Sequence, residues 1–390
     1  MKSKIFLNKK NYRFKESINN YLYVSIIILN FNGKDYIRKC LGSVQNLNYP
    51  KDRYEIIFVD NGSIDGSIDY VTKRFKNIKI VRNEKNFGFA KGNNIGAEKA
   101  QGELIVFLNN DMVVDKEWLS SLVKCYQETP ENVCCISSKI LSYDGRKIDF
   151  IDGQISFYSH AYQISFGEKY DDLQLERKPI FFPCGGSFLI DRDIYLAVGG
   201  FDDDYFAYFE DVDLGWRLWL SGYKVYFEPN SIVYHKHWGT TGGIPNYKRH
   251  VLYERNALYT IIKNYEKENL LKVLPAAILL SINRGLNYGG IDLNNFKFEE
   301  NLSYGNEKVS DEISINKITL SPIIGINEVI ENFYRLVSKR EEIQKNRKVA
   351  DKELFKMFKM PFKNFYYSEN YHINFEKITK VFELEDIFKI

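Results

Sequence analysis

Short apolar runs alternate with amphipathic stretches through the first third of the chain. Residues 24–29 (VSIIIL), 55–59, 78–81 and 103–108 read as short strands, and 103–108 is rich in β-branched and aromatic residues and apolar on both alternating faces. That pattern predicts strands buried on both sides in a parallel sheet. Between them, residues 35–47 are amphipathic and end at Tyr49 and Pro50, and a second helix is expected from the 86–94 loop to about residue 100. Strand and helix therefore alternate as βαβ units with right-handed crossovers. Beyond them the pattern predicts strands at 134–140, 181–190 and 231–234, a helix from 210 that Gly222 ends, and helices at 252–265, 328–340 and 352–360.

Unusual polar residues gather where the strands end. The run at 103–108 stops in Asn109, Asn110 and Asp111, which places Asp111 at the carboxyl edge of the sheet, the edge where open α/β sheets bind ligands. A carboxylate there suits a metal-bound phosphate, while a turn in which Asn and Asp satisfy local backbone groups stays open as the other reading. No GxGxxG or GxxxxGK[ST] follows a strand, which disfavours dinucleotide-binding and P-loop classes. Gly185 and Gly186 allow a backbone to approach a ligand closely, or mark a β-bulge. Glu210, Asp211 and Asp213 stand in a first helical turn, where carboxylates complement the helix dipole, and Asp213 is spaced to pair with Arg217. His235 and His237, two apart in an extended segment, share one face.

Composition narrows the class. At 390 residues the chain is long enough for more than one folding unit, and a net charge of +3 with dispersed Lys and Arg gives no footprint for a nucleic-acid partner. Five cysteines without a CxxC pair suggest buried thiols in a reducing cytoplasm. Residues 1–22 read as a basic arm, with no signal peptide after it. Residues 249–390 read as a mainly helical region. Within it, residues 270–286 are apolar but too short and interrupted to span a bilayer. Packing is their first reading and a peripheral, amphipathic membrane contact the second.

Six motifs in order, VSIIILNFNG, FVDNGSIDGS, NFGFAKGNN, FLNND, PCGGSFLI and GGFDDDYFAYFEDVDLGWRLWLSGYKVYFEPNSIVYH, resemble those of family 2 glycosyltransferases of the GT-A fold, in the rhamnosyltransferase-like branch. The resemblance covers residues 23–243 and implies a catalytic domain at 23–248 with a mostly parallel, Rossmann-like sheet. It further implies inverting transfer from a UDP- or dTDP-sugar to a hydroxyl of a glycan, lipid-linked or protein acceptor, in cell-surface polysaccharide synthesis at the cytoplasmic face of the membrane. Carried over by position, Phe31 lies against the base between Asn30 and Asn32, and Asp60, beside Asn61, accepts from the pyrimidine ring N–H. Asn86, Gly88 and Asn94 line the nucleotide, and Gly185 and Gly186 lie beside the sugar. Where the family's commonest form has Asp-x-Asp, this chain has Asn109-Asn110-Asp111. Mg2+ or Mn2+ would be held by Asp111, with His235 making up for the missing carboxylate. Asp211 is the implied base and Glu210 its orienting neighbour, with 238–243 a loop that closes over the donor. The alternative from another class is a nucleotide-sugar-binding module that has lost catalysis, motivated by the single carboxylate at Asp111.

Overall fold

The computed structural model describes residues 21–170, 174–236, 244–289, 315–365 and 368–389. Most of the basic arm, His237 and the 238–243 loop lie outside the described residues. The chain forms two compact units. The first comprises residues up to 154, 161–243 and 346–359; the second comprises residues 155–160, 244–345 and 360 onward.

In the first unit β1 (Val24–Asn30), α1 (Lys34–Gln45), β2 (Tyr54–Asp60), α2 (Ser67–Arg74), β3 (Lys79–Arg82), α3 (Gly88–Glu98) and β4 (Leu104–Asn109) follow one another. Ile26, Ile27, Ile28 and Ile57 are fully buried, as strands covered on both faces require. β4, β1, β2 and β3 lie side by side in parallel, with Asn30 in register with Asp60 and Leu29 with Asn109. The polar ends of three strands are thereby stacked at one edge.

After the polar turn come β5 (Met112–Val114), α4 (Trp118–Glu128) and β6 (Val133–Ser142), then the short strands β7 (Ile148–Phe150), β8 (Gly153–Ile155), β9 (Ala161–Gln163) and β10 (Lys178–Ile180). β11 (Ser187–Asp191), α5 (Arg192–Ala197), α6 (Glu210–Leu220) and β12 (Lys224–His235) complete the sheet, whose order is β10-β12-β6-β11-β4-β1-β2-β3. β11 is antiparallel to both β4 and β6, so the sheet is parallel at its core and mixed beyond it. The expected strand at 181–190 is shorter than its apolar run. Pro183, Gly185 and Gly186 interrupt it, and the Cys184 N–H turns to Ser137 Oγ at 3.2 Å instead of joining a ladder.

A buried polar junction knits the middle of the sheet. Trp118 Nε1 donates to Ser138 Oγ at 3.1 Å and Ser187 Oγ at 3.0 Å, and Ser138 also meets Ser231 at 3.0 Å. One indole thus ties α4 to β6 and β11, while Ser231 ties in β12. Residues 346–359, far downstream, belong to this unit. Lys348 N–H donates to Leu220 O at 2.7 Å, and Phe358, after α11 (Asp351–Leu354), meets the rings of Phe181 and Trp216 edge-on at 5.0 and 5.6 Å.

The second unit is helical, built from α7 (Asn246–Asn264), α8 (Lys267–Tyr288), α9 (Ser321–Glu331), α10 (Phe333–Asn346), α12 (Glu369–Val381) and α13 (Leu384–Phe388) with the 155–160 turn. The single helix expected over 328–340 is two helices, because Asn332 turns both its backbone N–H and its side-chain amide onto Glu328 O. A buried ionic cluster forms the core of this unit. Glu254 of α7 accepts from Ser281 Oγ at 2.7 Å and Arg284 Nε at 2.8 Å, and the guanidinium lies 5.2 Å from the centre of the Tyr158 ring. Burial opposes the charge on Glu254, but Arg284 outweighs it and holds the carboxyl well below the usual range. α8 turns Val273, Ala276, Ala277 and Leu280 inward and leaves Leu271, Leu279 and Ile282 exposed. Among the described residues no helix is long and apolar enough to cross a membrane.

Candidate active site

At the stacked strand ends, one amide ties three loops together. Asn30 is fully buried; its Nδ2 donates to Asp60 Oδ1 at 3.3 Å, Ser63 Oγ at 3.1 Å and Ser67 Oγ at 2.9 Å, and its Oδ1 accepts from Asn110 Nδ2 at 2.7 Å. Gly33 lies directly on this network, and a Cβ there would come within 2.1 Å of Asn110 Nδ2. Only glycine fits. Asp60 spends its other oxygen on the Ser63 N–H at 3.0 Å, which orients a carboxylate that is almost wholly buried. Phe31 is half-buried, and exposed Asn32, at φ 51°, accepts from the Ile64 N–H at 2.9 Å. Asp65 accepts from the N–H groups of Lys34 at 2.8 Å and Ser67 at 2.9 Å, so it serves the starts of α1 and α2 together.

The next loop is held from β2. Asn61 Nδ2 donates to Asn86 Oδ1 at 2.9 Å and Gly88 O at 3.0 Å, while its Oδ1 accepts from Asn83 Nδ2 at 3.0 Å. Gly88, at φ 85°, carries no Cβ because Phe206 O would stand 2.5 Å from it. Asn94 bonds to Phe201 O and Asp203 Oδ1, both at 2.7 Å, and accepts from Tyr195 Oη at 2.6 Å. Asn30, Asn61 and Asn94 were expected against the nucleotide. In the structure their amides engage protein groups and set the shape of the loops around Asp60 and Phe31.

Phe206, Tyr208 and Phe209 all have positive φ, at 64°, 68° and 70°. The Ala207 N–H closes a γ-turn onto Tyr205 O at 2.8 Å around Phe206, a strained conformation for any side chain. This segment delivers Glu210 and Asp211 to the first turn of α6. Asp211 is half-buried, with Oδ2 accepting from the Gly185 N–H and Oδ1 from the Val212 N–H, each at 2.8 Å. Its enclosure raises its pKa to about 6 against the pull of those two N–H groups. The helix end was expected to favour the ionised form, and burial outweighs it. Glu210 is more deeply buried, with Oε2 left without a partner, and burial together with the Asp211 charge pushes it well above the usual carboxylate range. Of two adjacent carboxyls, Glu210 is thereby pushed up the further, and Asp211 is the one better able to ionise. Asp213 pairs with Arg217 at 2.7 Å as its spacing predicts.

The third part of the site lies where β12 meets the hairpin after β4. β12 pairs with β5, placing His235 opposite Met112, and His235 Nε2 stands 3.5 Å from Asp111 Oδ2. Asp111 is buried and its Oδ1 has no hydrogen-bond partner. On the far side of the ring, Nδ1 meets Asp149 Oδ2 at 2.6 Å. Burial opposes a charge on the imidazole, but the two carboxylates outweigh it and lift His235 to about 9. Asn109, half-buried, donates its N–H to Gly186 O at 2.9 Å, and a Cβ on Gly186 would strike Met112 Cε at 2.4 Å. Cys184 is surrounded by Asp211, Asp149 and Glu210; burial first and those charges next keep it a thiol.

Among the described residues no group of three or more His, Cys, Asp and Glu side chains converges on a metal position. Asp111 and His235 still fit a shared divalent cation. One buried carboxylate oxygen lacks a partner, and an imidazole nitrogen faces the other from beyond ordinary hydrogen-bond length, so diphosphate and water would complete the shell. Asp149 and Gly33 were not singled out from sequence. Asp149 sits in a three-residue strand inside an irregular stretch, which offers no periodic signal.

Comparison with known proteins bears on the family and the fold. Residues 25–199 match the family model described as Glycosyl transferase family 2. The rhamnosyltransferase WbbL of Escherichia coli is 28% identical over 226 residues, 53% of this chain and 80% of WbbL. An inactive polypeptide N-acetylgalactosaminyltransferase-like protein 5 of Macaca fascicularis is 28% identical over 227 residues, 54% of this chain and 50% of its own, so this chain spans about half the length of that relative. The crystal structure of GalNAc-T7 with UDP, GalNAc and Mn2+ superposes with a TM-score of 0.53 at 19% identity, covering 72% of this chain and 54% of that one, which speaks for the fold. With the sheet order and the family match in agreement, the chain carries a family 2 glycosyltransferase domain of GT-A fold over residues 25–199.

Proposed function

We propose that this protein is an inverting glycosyltransferase that moves a sugar from a pyrimidine nucleotide to a hydroxyl of a glycan, lipid-linked or protein acceptor. The observation that carries the reading is the Glu210–Asp211 pair at the start of α6, in which a half-buried Asp211, oriented by the Gly185 N–H and the Val212 N–H, stands beside a more deeply buried Glu210. Asp211 takes the acceptor proton as the acceptor oxygen bonds to the anomeric carbon from the side opposite the nucleotide. The bond from that carbon to the diphosphate breaks as the new one forms, and nucleoside diphosphate departs.

Asp60 receives the ring N–H of the base, with Phe31 against its face. Asp111 and His235 Nε2 would hold Mg2+ or Mn2+, whose chemistry when bound is to neutralise charge on the departing diphosphate. Rhamnose is the first sugar to test, given the likeness to WbbL. The five free thiols suit a reducing cytoplasm, the compartment in which this reading places the reaction, at the inner face of the membrane.

The single carboxylate at Asp111 favours one second reading, a nucleotide-sugar-binding module without turnover. An assay of nucleoside diphosphate released when donor and acceptor are combined separates the two. Release that needs both substrates and stops in excess chelator supports the metal-assisted transferase. Donor binding with no release supports the module.

A further inference from the structure

β7 carries a carboxylate that the reaction above leaves without a task. Asp149 lies between Ile148 and Phe150 on a strand buried along its whole length and paired antiparallel with β6. It is 5% exposed. Carboxylates are seldom buried this deeply without a partner that uses their charge. Asp149 Oδ2 stands 2.6 Å from His235 Nδ1, on the side of the ring away from Nε2 and Asp111.

We propose that Asp149 is a positioning residue that accepts the Nδ1–H of His235 and so presents the Nε2 lone pair toward Asp111 for a divalent cation. This rests on the reading of Asp111 and His235 as ligands of one metal. With a cation bound at Nε2 the imidazole is neutral and carries a single ring proton, and the hydrogen bond to Asp149 assigns it to Nδ1. Nε2 and Asp111 Oδ2 are then two electron-pair donors facing each other across 3.5 Å, and a cation between them makes that arrangement favourable. The buried, unpartnered Asp111 Oδ1 adds a further donor on the same carboxylate.

A carboxylate behind a ligating imidazole fixes the ring's rotation and strengthens the nitrogen as a ligand. Losing such a partner costs roughly 10- to 100-fold in metal affinity. For a chain with Asn109 where the family's commonest form has a carboxylate, that support matters more. The sheet supplies it through its own pairing. β6 is bonded to β12 on one side and to β7 on the other, so the strands bearing His235 and Asp149 are fixed to a common neighbour.

The test is a Mn2+ titration followed by the electron paramagnetic resonance of the free ion, with and without UDP. It compares the parent, Asp149→Asn, Asp149→Ala and His235→Gln. The expected result is saturable binding by the parent in the presence of UDP, weakened roughly 10- to 100-fold in Asp149→Asn and at least as much in His235→Gln. Nitrogen-15 spectra of the histidines, recorded without metal above about pH 9 where the ring is neutral and with His235 assigned by its loss in His235→Gln, should show the Nδ1–H tautomer in the parent and a mixture in Asp149→Asn. A merely structural Asp149 would not move that tautomer. If Asp149→Ala is too unstable to titrate, the isosteric Asp149→Asn carries the comparison.

Parental Mn2+ affinity and an unchanged tautomer in Asp149→Asn would overturn the proposal, as would a parent that binds no Mn2+ with UDP present. Weakened metal binding in Asp149→Asn, in a parent that transfers no sugar, keeps the positioning role and sinks the transferase reading. Sugar transfer undiminished in excess chelator sinks the cation site and the role of Asp149 with it.

Discussion

The Gly185 N–H donates to Asp211 Oδ2 at 2.8 Å, and a Cβ at residue 185 would come within 3.1 Å of the same oxygen. The loop before β11 thus sets the position of the proposed base, and a side chain at 185 would make that carboxylate give by a few tenths of an ångström. Gly185→Ala should lower kcat by about 10- to 100-fold, as sub-ångström misplacement of a reacting group does. Its donor KM should stay near the parental value. Steady-state kinetics with both substrates varied would check this, and an unchanged kcat would mean that Asp211 is not held in place by this contact.

Asp211 also sets a pH limb. Its pKa is raised to about 6, so it keeps its proton to a higher pH than an ordinary aspartate and works as a base only above that point. kcat/KM should be level near neutrality and fall about tenfold per pH unit below about 6. Asp211→Asn should lose about 10²- to 10⁴-fold in turnover, and its residual rate should lack the acid limb. A pH profile of both proteins decides it, because the same limb in Asp211→Asn would belong to another group.

Recognition of the base can be separated from chemistry. Asp60→Ala should raise the donor KM by about tenfold or more with a smaller loss in kcat, the signature of binding shared by ground and transition states. Gly33→Ala should do the same by a different route, since its Cβ would stand 2.4 Å from Asn30 Oδ1 and break the amide network that shapes the Asp60 loop. Donor titrations by calorimetry test both, and parental affinity in Asp60→Ala would reduce Asp60 to a turn residue.

The helical unit makes a prediction about stability alone. Glu254→Ala would leave Arg284 buried without its carboxylate, a loss of about 3–5 kcal/mol by the usual cost of orphaning one member of a buried pair. Denaturant unfolding measures it. A change under about 1 kcal/mol would mean that water or Tyr371, which accepts from Arg284 Nη1 at 3.2 Å, takes over the charge.

Those parts of the site that lie at the ends of strands were readable in sequence because an apolar run that stops in Asn-Asn-Asp announces its own edge. β1, β2 and β4 were equally plain, being apolar runs buried along most of their length. Asp149 was not, because it meets His235 across 86 positions from a strand too short to show a period. Nor was the duty of Asn30 and Asn94, since an asparagine that binds a ligand and one that braces a loop look alike until the partners are known. The strand expected at 181–190 failed where Pro183 and the glycines redirect the chain. Those same glycines are what bring the backbone to Asp211.

Residues 346–359 close the first unit with Phe358 against Phe181 and Trp216, although they follow β12 by more than a hundred positions (346 − 235 = 111). During synthesis the catalytic sheet therefore leaves the ribosome with an aromatic face still bare, and that face waits for most of the helical unit to be translated before its own chain covers it. A gene cut after codon 243 would encode every motif of the active site and still yield a protein with those rings open to water, prone to aggregate rather than to fold.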